Sequence, residues 1–259
     1  GIGLQPNELM LQLMGKKDDP FSGGRTYYGH PSLKREGFPT IPHQSSATGM
    51  QAIPATGMAH GIHYLEEQGL LGSNNKPVVL CSLGDGSVTE GEVSEAMQMA
   101  VLHKLPVVYL IQDNDWGISA TGKEMRAMDA YEFAAGFKGM ERMRVDGADF
   151  TASFEGMKTA FDYVRENRAP ILVHAKTPLL GHHTSGVRKE WYRGDFDLED
   201  HQKSDPIPTL RKDLKKAGYK ESDIIKIEDE TVVFVQAEYA RALNADDPDP
   251  ATIFDHEFA

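Results

Sequence analysis

Residues 80–119 have the sequence LCSLGDGSVTEGEVSEAMQMAVLHKLPVVYLIQDNDWGIS, and the fold depends on the pattern that they contain. A short apolar run over residues 78–83 ends at G-D-G, which favours a buried parallel strand. An amphipathic helix pattern follows, and Thr89 with Glu92 three residues later matches a capping box. Because a second apolar run at 107–111 comes next, the stretch predicts a β-α-β unit.

A polar turn follows each apolar run. Asp85 lies in the first turn between Gly84 and Gly86, and Asn114 lies in the second. The carboxyl ends of parallel strands share one sheet edge, where α/β proteins bind ligands. A carboxylate and an amide oxygen suit Mg²⁺, while flanking glycines and a helix N-terminus suit a diphosphate. The pattern predicts a metal-bridged diphosphate site, and an ordinary strand-to-helix turn containing Asp and Gly is the alternative.

The composition favours an intracellular enzyme. Among 259 residues, 39 are acidic and 27 basic, for a formal net charge of -12, which argues against a nucleic-acid partner. The single cysteine, Cys81, lies in an apolar run, so no disulfide framework is expected and the thiol is interpreted as a small buried group. No long apolar run or signal-peptide pattern is present. We therefore expect a cytoplasmic protein without a membrane partner.

The two turns together resemble the thiamine diphosphate motif. G-D-G-S-V-T-E-G-E at 84–92 and D-N-D-W-G-I-S at 113–119 are similar to the α subunit of 2-oxo acid dehydrogenases. That subunit belongs to the decarboxylating first component of the pyruvate and branched-chain complexes. The resemblance implies thiamine diphosphate and Mg²⁺ as cofactors, with the metal held by Asp85, Asn114 and the backbone carbonyl of Trp116.

The resemblance also implies further cofactor contacts. The S-S-A-T-G-M-Q stretch at 45–51 corresponds to residues that touch the aminopyrimidine. The G-H-H-T-S stretch at 181–185 implies a catalytic role for His183 beside the diphosphate and the reacting centre. The implied cofactor-binding residues are Ser46, Thr48, Gly84, Asp85, Gly86, Ser87, Asn114, Ile118 and His183.

Three positions depart from the family pattern. Asp113 replaces the first asparagine of the family's Asn-Asn pair, at a position that is not a ligand. Gln112 and Leu179 stand where related subunits carry arginines on the diphosphate. The phosphate charge is therefore expected to fall on Mg²⁺, helix N-terminal amides, His183, and Arg188, Lys189 or a segment outside this sequence. We expect weaker cofactor binding by this chain alone.

Three apolar runs that each begin at or beside a proline predict the overall architecture. They lie at 78–83, 107–111 and 170–175 and are separated by helical patterns. This order predicts a doubly wound, mostly parallel α/β sheet flanked by helices, and the resemblance implies the transketolase-like fold that binds thiamine diphosphate. The predicted organisation is one domain over residues 1–259, a fragment of a longer chain, with an active-site-proximal loop at 15–44, a phosphate and active-site loop at 178–200 and a tail or linker at 246–259.

Two helical segments carry specific expectations. Residues 150–168 predict a long helix whose core side chains are Phe154, Met157, Phe161 and Val164. Residues 207–245 predict two helices that separate near Gly218, with Ser222 as the cap of the second.

The resemblance implies an α-type component that decarboxylates a 2-oxo acid, either pyruvate or a branched-chain acid. Its implied partners are a β subunit or fused β domain that completes the active site, a lipoyl-bearing acyltransferase that receives the acyl group, and the 2-oxo acid substrate. The implied assembly is an oligomer, a heterotetramer in the family. The sequence leaves two alternatives to this function: a transketolase-like ketol transferase, and a non-catalytic assembly subunit.

Overall fold

A computed structural model of the chain describes residues 2–26, 29–72, 74–184 and 186–255. The fold comprises two compact units. The first joins Gly1–Ser46 to Leu214–Ala259, and the second is Ala47–Asp213. The single domain expected from the sequence remains a prediction.

The second unit contains the predicted parallel sheet. Its four strands are β1 (Val79–Gly84), β2 (Val107–Asp113), β5 (Glu141–Asp146) and β6 (Ile171–Lys176), in the spatial order β1-β2-β6-β5. All three pairings are parallel. A short hairpin, β3 (Trp116–Gly117) with β4 (Ala120–Thr121), follows β2. The α/β class with a parallel sheet is therefore confirmed.

Helices flank the sheet on both faces. The helices of the described residues are α1 (Pro6–Leu13), α2 (Ala52–Glu67), α3 (Gly91–Leu102), α4 (Gly122–Met125), α5 (Ala130–Ala134), α6 (Phe150–Asn167), α7 (Asp195–Lys203), α8 (Pro206–Lys216) and α9 (Glu221–Leu243). Tyr109 and Ile111 of β2 pack with α2 and α3, whereas Val108 packs with α6. Alternate residues of one strand thus face opposite helical layers, as a doubly wound sheet requires.

Helix α3 begins differently from the prediction. Its N-cap is Glu90, without a side-chain cap bond, and a 3₁₀ turn over Gly86–Thr89 separates it from β1. The hydroxyl of Thr89 donates to the carbonyl of Gly86, so it does not cap the helix. The predicted capping box of Thr89 and Glu92 is therefore wrong, because the chain makes an extra turn before the helix starts.

Helix α6 packs on the sheet through buried Gly156, Ala160 and Val164, with Met157 and Phe161 partly buried beside them. By contrast, Phe154 is 59% exposed. A Cβ at Gly156 would lie 2.6 Å from Cγ2 of Val145, so the helix approaches β5 too closely for large side chains at that contact. The prediction of Phe154 as a core residue is wrong, and Val164 is confirmed.

The first unit combines segments from both ends of the chain. Helices α1 and α9 pack together, and the buried Asn7 Nδ2 donates to the carbonyl of Glu238 at 3.0 Å. The two predicted C-terminal helices are present, but the N-cap of α9 is Lys220 rather than Ser222. None of the described helices is long and apolar enough to cross a membrane.

Candidate active site

The strand register brings the two predicted turns together. Gly84 is the last residue of β1 and pairs with Gln112 of β2. Asp85 and Asp113 therefore follow at the same level of the sheet edge. Their relative exposures are 3% and 2%, so two carboxylates lie side by side out of contact with bulk solvent. Such an arrangement requires positive charge close by.

Arg126 supplies that charge. Its guanidinium contacts the carboxylate of Asp85 and lies 3.1 Å from carboxylate oxygens of both Asp113 and Asp115. The backbone N–H of Arg126 donates to the carbonyl of Gly122 in α4, and Gly122 donates to the carbonyl of Asp115. Helix α4 therefore connects the arginine to the turn that follows β2.

Asp113 is the most heavily paired of the three carboxylates. His174 Nε2 lies 2.7 Å from its Oδ2, and Lys176 Nζ lies 3.4 Å from its Oδ1. Burial alone would raise the pKa of Asp113, but the hydrogen bond with His174 and the charges of Lys176 and Arg126 lower it. Asp113 is therefore a carboxylate near neutral pH.

Asp85 has a less favourable electrostatic environment. Burial raises the pKa of its carboxyl, and the neighbouring Asp113 adds to that effect, while the hydrogen bond from Arg126 opposes it. Burial would lower the pKa of Arg126, but the hydrogen bond to Asp85 and the charge of Asp113 raise it. The carboxylate form of Asp85 thus depends on a cation at its oxygens.

The turn after β2 is built by two side-chain hydrogen bonds. Asp113 Oδ1 accepts from the N–H of Asp115 at 2.9 Å, and Asn114 Oδ1 accepts from the N–H of Trp116 at 3.0 Å. Asp115 and Ile118 have φ angles of 65° and 58°. Such Asx turns are typical of Asp and Asn in tight loops. They fix Asn114 and the start of β3 beside the sheet edge.

Trp116 links this turn to the segment after β6. Its side chain is 7% exposed, and its indole N–H donates to Asp197 Oδ1 at 3.3 Å. The rings of Trp116 and Tyr192 have centroids 5.4 Å apart, and the Arg193 guanidinium lies 5.3 Å from the Trp116 ring centroid. Arg193 also donates to the carbonyl of Leu179 at 2.7 Å. The predicted 178–200 loop, which contains the start of α7, therefore packs on the candidate site.

The other residues predicted to bind the cofactor differ in their burial and in their location in the fold. Gly86 and Ser87 belong to the 3₁₀ turn beside Asp85, and Ile118 is 47% exposed at the hairpin tip. His183 is half-buried, and its Nδ1 is buried without a hydrogen-bond partner among the described residues. Thr48 is exposed on the second unit.

Ser46 belongs to the first unit, and its hydroxyl lies 2.8 Å from Nε2 of His30. Gln112, at one of the positions expected to lack arginine, is exposed and accepts a hydrogen bond from Ser82. Arg188 is exposed, and the Nζ of Lys189 contacts the carbonyl of Leu180. None of these contacts brings a cation to Asp85.

Sequence reasoning missed Arg126 and His174. Both line a cavity of about 580 Å³ at the carboxyl edge of β2, β5 and β6, together with Asp113, Asp129 and Lys176. His174 Nδ1 is buried, has no hydrogen-bond partner among the described residues and lies 3.8 Å from an oxygen of Asp129. His174 and Lys176 lie on β6, which pairs with β2. Their position in the strand beside Asp113 is the signal that could have suggested a role for His174.

The oxygen atoms at the edge suit Mg²⁺. Across the described residues, no group of three or more His, Cys, Asp and Glu side chains is arranged to hold a metal ion. A magnesium site here would therefore use one carboxylate, from Asp85, with the amide oxygen of Asn114 and the carbonyl of Trp116. Mg²⁺ characteristically takes few protein oxygens and completes its shell with phosphate and water. The Arg126 guanidinium on Asp85 shows that this carboxylate accepts a cation.

Comparison with known proteins gives the family. The family described as "Dehydrogenase E1 component" matches residues 2–251. The chain is 29% identical to the 2-oxoisovalerate dehydrogenase subunit alpha of Bacillus subtilis, covering 100% of this chain and 75% of that protein. It is 32% identical to the pyruvate dehydrogenase E1 component subunit alpha of Rickettsia felis, covering 97% and 74%. A transketolase structure from Campylobacter jejuni matches with a TM-score of 0.41 and 25% identity, covering 50% of this chain and 20% of that one.

The sheet, its polar edge and the family match together define a dehydrogenase component. The chain belongs to the dehydrogenase E1 component family. The assignment made from its sequence, an α-type component of the thiamine diphosphate-dependent 2-oxo acid dehydrogenases, is confirmed.

Proposed function

We propose that this chain binds thiamine diphosphate through Mg²⁺ at the shared edge of β1 and β2, for the decarboxylation of pyruvate or a branched-chain 2-oxo acid. The observation that carries the proposal is the register that places Asp85 level with the turn at 113–116. The buried guanidinium of Arg126 already contacts the carboxylate of Asp85. The oxygen atoms and the buried negative charge at this edge support a cation site.

Each proposed ligand is held by the local structure. Asp85 would provide a carboxylate oxygen, Asn114 its amide oxygen and Trp116 its backbone carbonyl. The hydrogen bond from the Trp116 N–H uses one acceptor position of Asn114 Oδ1 and leaves a second one free. The 3₁₀ turn at Gly86–Thr89 begins with N–H groups that have no partner within the turn, and these suit phosphate oxygens.

His183 is the proposed catalytic residue. Its buried Nδ1 lacks a hydrogen-bond partner among the described residues, which leaves it available to a bound group. When bound, thiamine diphosphate would supply a nucleophilic carbon and an acceptor for the electron pair released with CO₂. His183 would orient the reacting group or transfer a proton to it. The attachment of Leu179 to Arg193 supports this role because it holds the start of the same loop.

We propose that the active site is completed by a β subunit or a fused β domain, and that a lipoyl-bearing acyltransferase accepts the acyl group. The names of the relatives as α subunits support this proposal. Helix α9 also exposes large apolar side chains, including Ile227, Val233 and Phe234, and exposed apolar surface of this kind marks interaction sites. The proposed assembly is an oligomer in the cytoplasm.

Tryptophan fluorescence tests the cofactor site. The chain has two tryptophans, and Trp191 is 71% exposed, so Trp191→Phe leaves the buried Trp116 as the one tryptophan of this chain. The double variant with Trp116→Phe as well gives the fluorescence of the β partner, which is subtracted. With the β partner present, we expect thiamine diphosphate to quench this fluorescence only when Mg²⁺ is added. Asp85→Asn should abolish the quenching.

Quenching that persists in Asp85→Asn would refute the metal assignment. No response in either protein, even with the β partner, would refute cofactor binding and favour a non-catalytic assembly subunit. Assays of CO₂ release from pyruvate and from 3-methyl-2-oxobutanoate, against ketol transfer from a sugar phosphate, then identify the substrate class.

A further inference from the structure

Arg126 contacts the carboxylate of Asp85, which the proposed function assigns to the metal ion. Its side chain is 9% exposed, and the side chains of Asp85 and Asp113 are 4% and 3% exposed. The guanidinium bridges both of these buried carboxylates and also reaches the half-exposed Asp115. A planar guanidinium that bridges two buried carboxylates is held more firmly than a flexible surface ion pair.

The backbone is shaped to accept this arginine. A Cβ at Gly122 would lie 2.1 Å from Asp115 Oδ1 and 2.6 Å from Arg126 Nη2. No side chain larger than hydrogen fits there without displacing the ion pair. Because Gly122 also bonds through its backbone to both Asp115 and Arg126, α4 holds the guanidinium against the turn after β2.

Arg126 and a metal ion would compete for Asp85. Around the edge, the carboxylates of Asp85, Asp113 and Asp115 face the cations of Arg126 and Lys176. Among these five groups one negative charge is in excess. A divalent ion that binds Asp85 without an anion would make their sum positive and repel the guanidinium. When the metal ion enters together with a diphosphate, the diphosphate supplies compensating negative charge. The displaced guanidinium can then bind the phosphate oxygens.

We infer that Arg126 couples the binding of the metal to the binding of the diphosphate. In the structure, Arg126 holds Asp85 and Asp113 in place. It opposes binding of the bare metal ion, and it becomes a phosphate-binding arginine when metal and diphosphate enter together. This inference rests on the proposed function. It also accounts for the phosphate charge at a site where Gln112 and Leu179 bring none.

Metal and cofactor titrations of the full chain with its β partner test the inference. Mn²⁺ binding is followed by electron paramagnetic resonance without and with thiamine diphosphate. We expect Arg126→Gln to bind Mn²⁺ alone about tenfold more tightly than the unaltered protein, since about 1.4 kcal/mol of competition is removed. The same variant should bind thiamine diphosphate about tenfold more weakly at saturating Mn²⁺, since it lacks the phosphate-binding cation.

Two further variants make the comparison specific. Lys123→Gln removes one positive charge from the lining of the same cavity at an exposed position and should change neither affinity. Arg126→Lys keeps a charge for folding but cannot bridge three carboxylates, so it should give smaller changes in the same two directions. Circular dichroism of each variant establishes that it is folded.

The outcomes separate the inference from the proposed function. If thiamine diphosphate-dependent Mn²⁺ binding is seen and is lost in Asp85→Asn, the proposed site is correct. Unchanged Mn²⁺ affinity in folded Arg126→Gln and Arg126→Lys would then overturn the inference alone. If Asp85→Asn leaves Mn²⁺ binding intact, the proposed metal site itself is refuted.

Discussion

Asp113 is the residue around which the charged groups of the candidate site are arranged. It is the last residue of the hydrophobic strand β2, is 2% exposed and still carries a negative charge, because His174, Arg126 and Lys176 all lie within 3.4 Å of its oxygens. Removing a single partner of such a buried charge typically costs about 3–5 kcal/mol. Asp113 therefore stabilises the edge of the sheet.

Cys81 gives a prediction at the residue scale. Cys81 lies on β1 and is 2% exposed in the core, and burial raises the pKa of its thiol from 9.0 to about 12. At pH 8 the folded protein should therefore react very slowly with iodoacetamide, because the thiolate is the reactive form. Since the pKa is raised in the folded state, stability should be retained below pH 9 and decline as the pH rises towards 12. Mass spectrometry of the alkylated protein measures the reaction.

The denatured protein is the control for Cys81. In guanidinium chloride the one cysteine of the chain should be alkylated completely at the same pH. Rapid alkylation of the native protein at pH 8 would contradict the burial of this side chain.

At the residue scale, the sequence predicted the turns but not the charges that stabilise them. Asp85 and Asn114 were found because each belongs to a local motif next to an apolar strand. Arg126 was missed because the residues between it and Asp85 give no indication that the two meet. The ion pair depends on the register of β1 with β2 and on the short helix α4, and neither can be derived from residue spacing.

At the scale of elements, the contact between α6 and β5 shows how a close approach is achieved. Gly156 lies on the buried face of α6, and its Cα faces the side chain of Val145. Helix packing at this distance leaves no room for a larger residue. The sequence predicted α6 and its amphipathicity, and Val164, Met157 and Phe161 do pack against the core, but Phe154 is exposed because the contact with β5 is made by Gly156 and Ala160.

Gly156→Ala should destabilise the protein. The added Cβ would lie 2.6 Å from Cγ2 of Val145, and such overpacking typically costs about 1–3 kcal/mol. Chemical denaturation measures the change in the free energy of unfolding. The matched control is Gly57→Ala in α2, where an added Cβ meets nothing within 4 Å. That variant should be stabilised by about 0.5–1 kcal/mol through helix propensity. Equal effects of the two substitutions would show that α6 does not approach β5 this closely.

Segments that flank the motifs were predicted less well than the motifs themselves. Helix α7 lies partly in a region expected to be a loop. The side chain of Asp197 in α7 accepts a hydrogen bond from the indole N–H of Trp116. Its sequence is highly charged and has little apolar periodicity, so no amphipathic pattern indicated it. Its position is set by contacts with a turn that lies far away in the sequence.

At the scale of the whole molecule, the two ends of the chain form one compact unit. Helices α1 and α9 pack together, and buried polar groups join distant segments within that unit. Gln12 exchanges two hydrogen bonds of 3.0 Å with the backbone of His30. Sequence patterns predicted the two C-terminal helices, but not the packing of α9 against α1, because contacts between residues more than 200 positions apart leave no local signal.

Asn7→Ala should therefore loosen both ends of the chain together. Asn7 is buried, and its Nδ2 is hydrogen-bonded to the carbonyl of Glu238; losing this bond between the two helices costs about 0.5–1.5 kcal/mol. Hydrogen exchange should become faster in α1 and in α9, while β1 and β2 retain their protection, since they belong to the other unit. Asn167→Ala is the matched control because its Nδ2 bonds to Tyr163 at an exposed position within α6. Faster exchange in α1 alone would mean that the two ends do not form a cooperative unit.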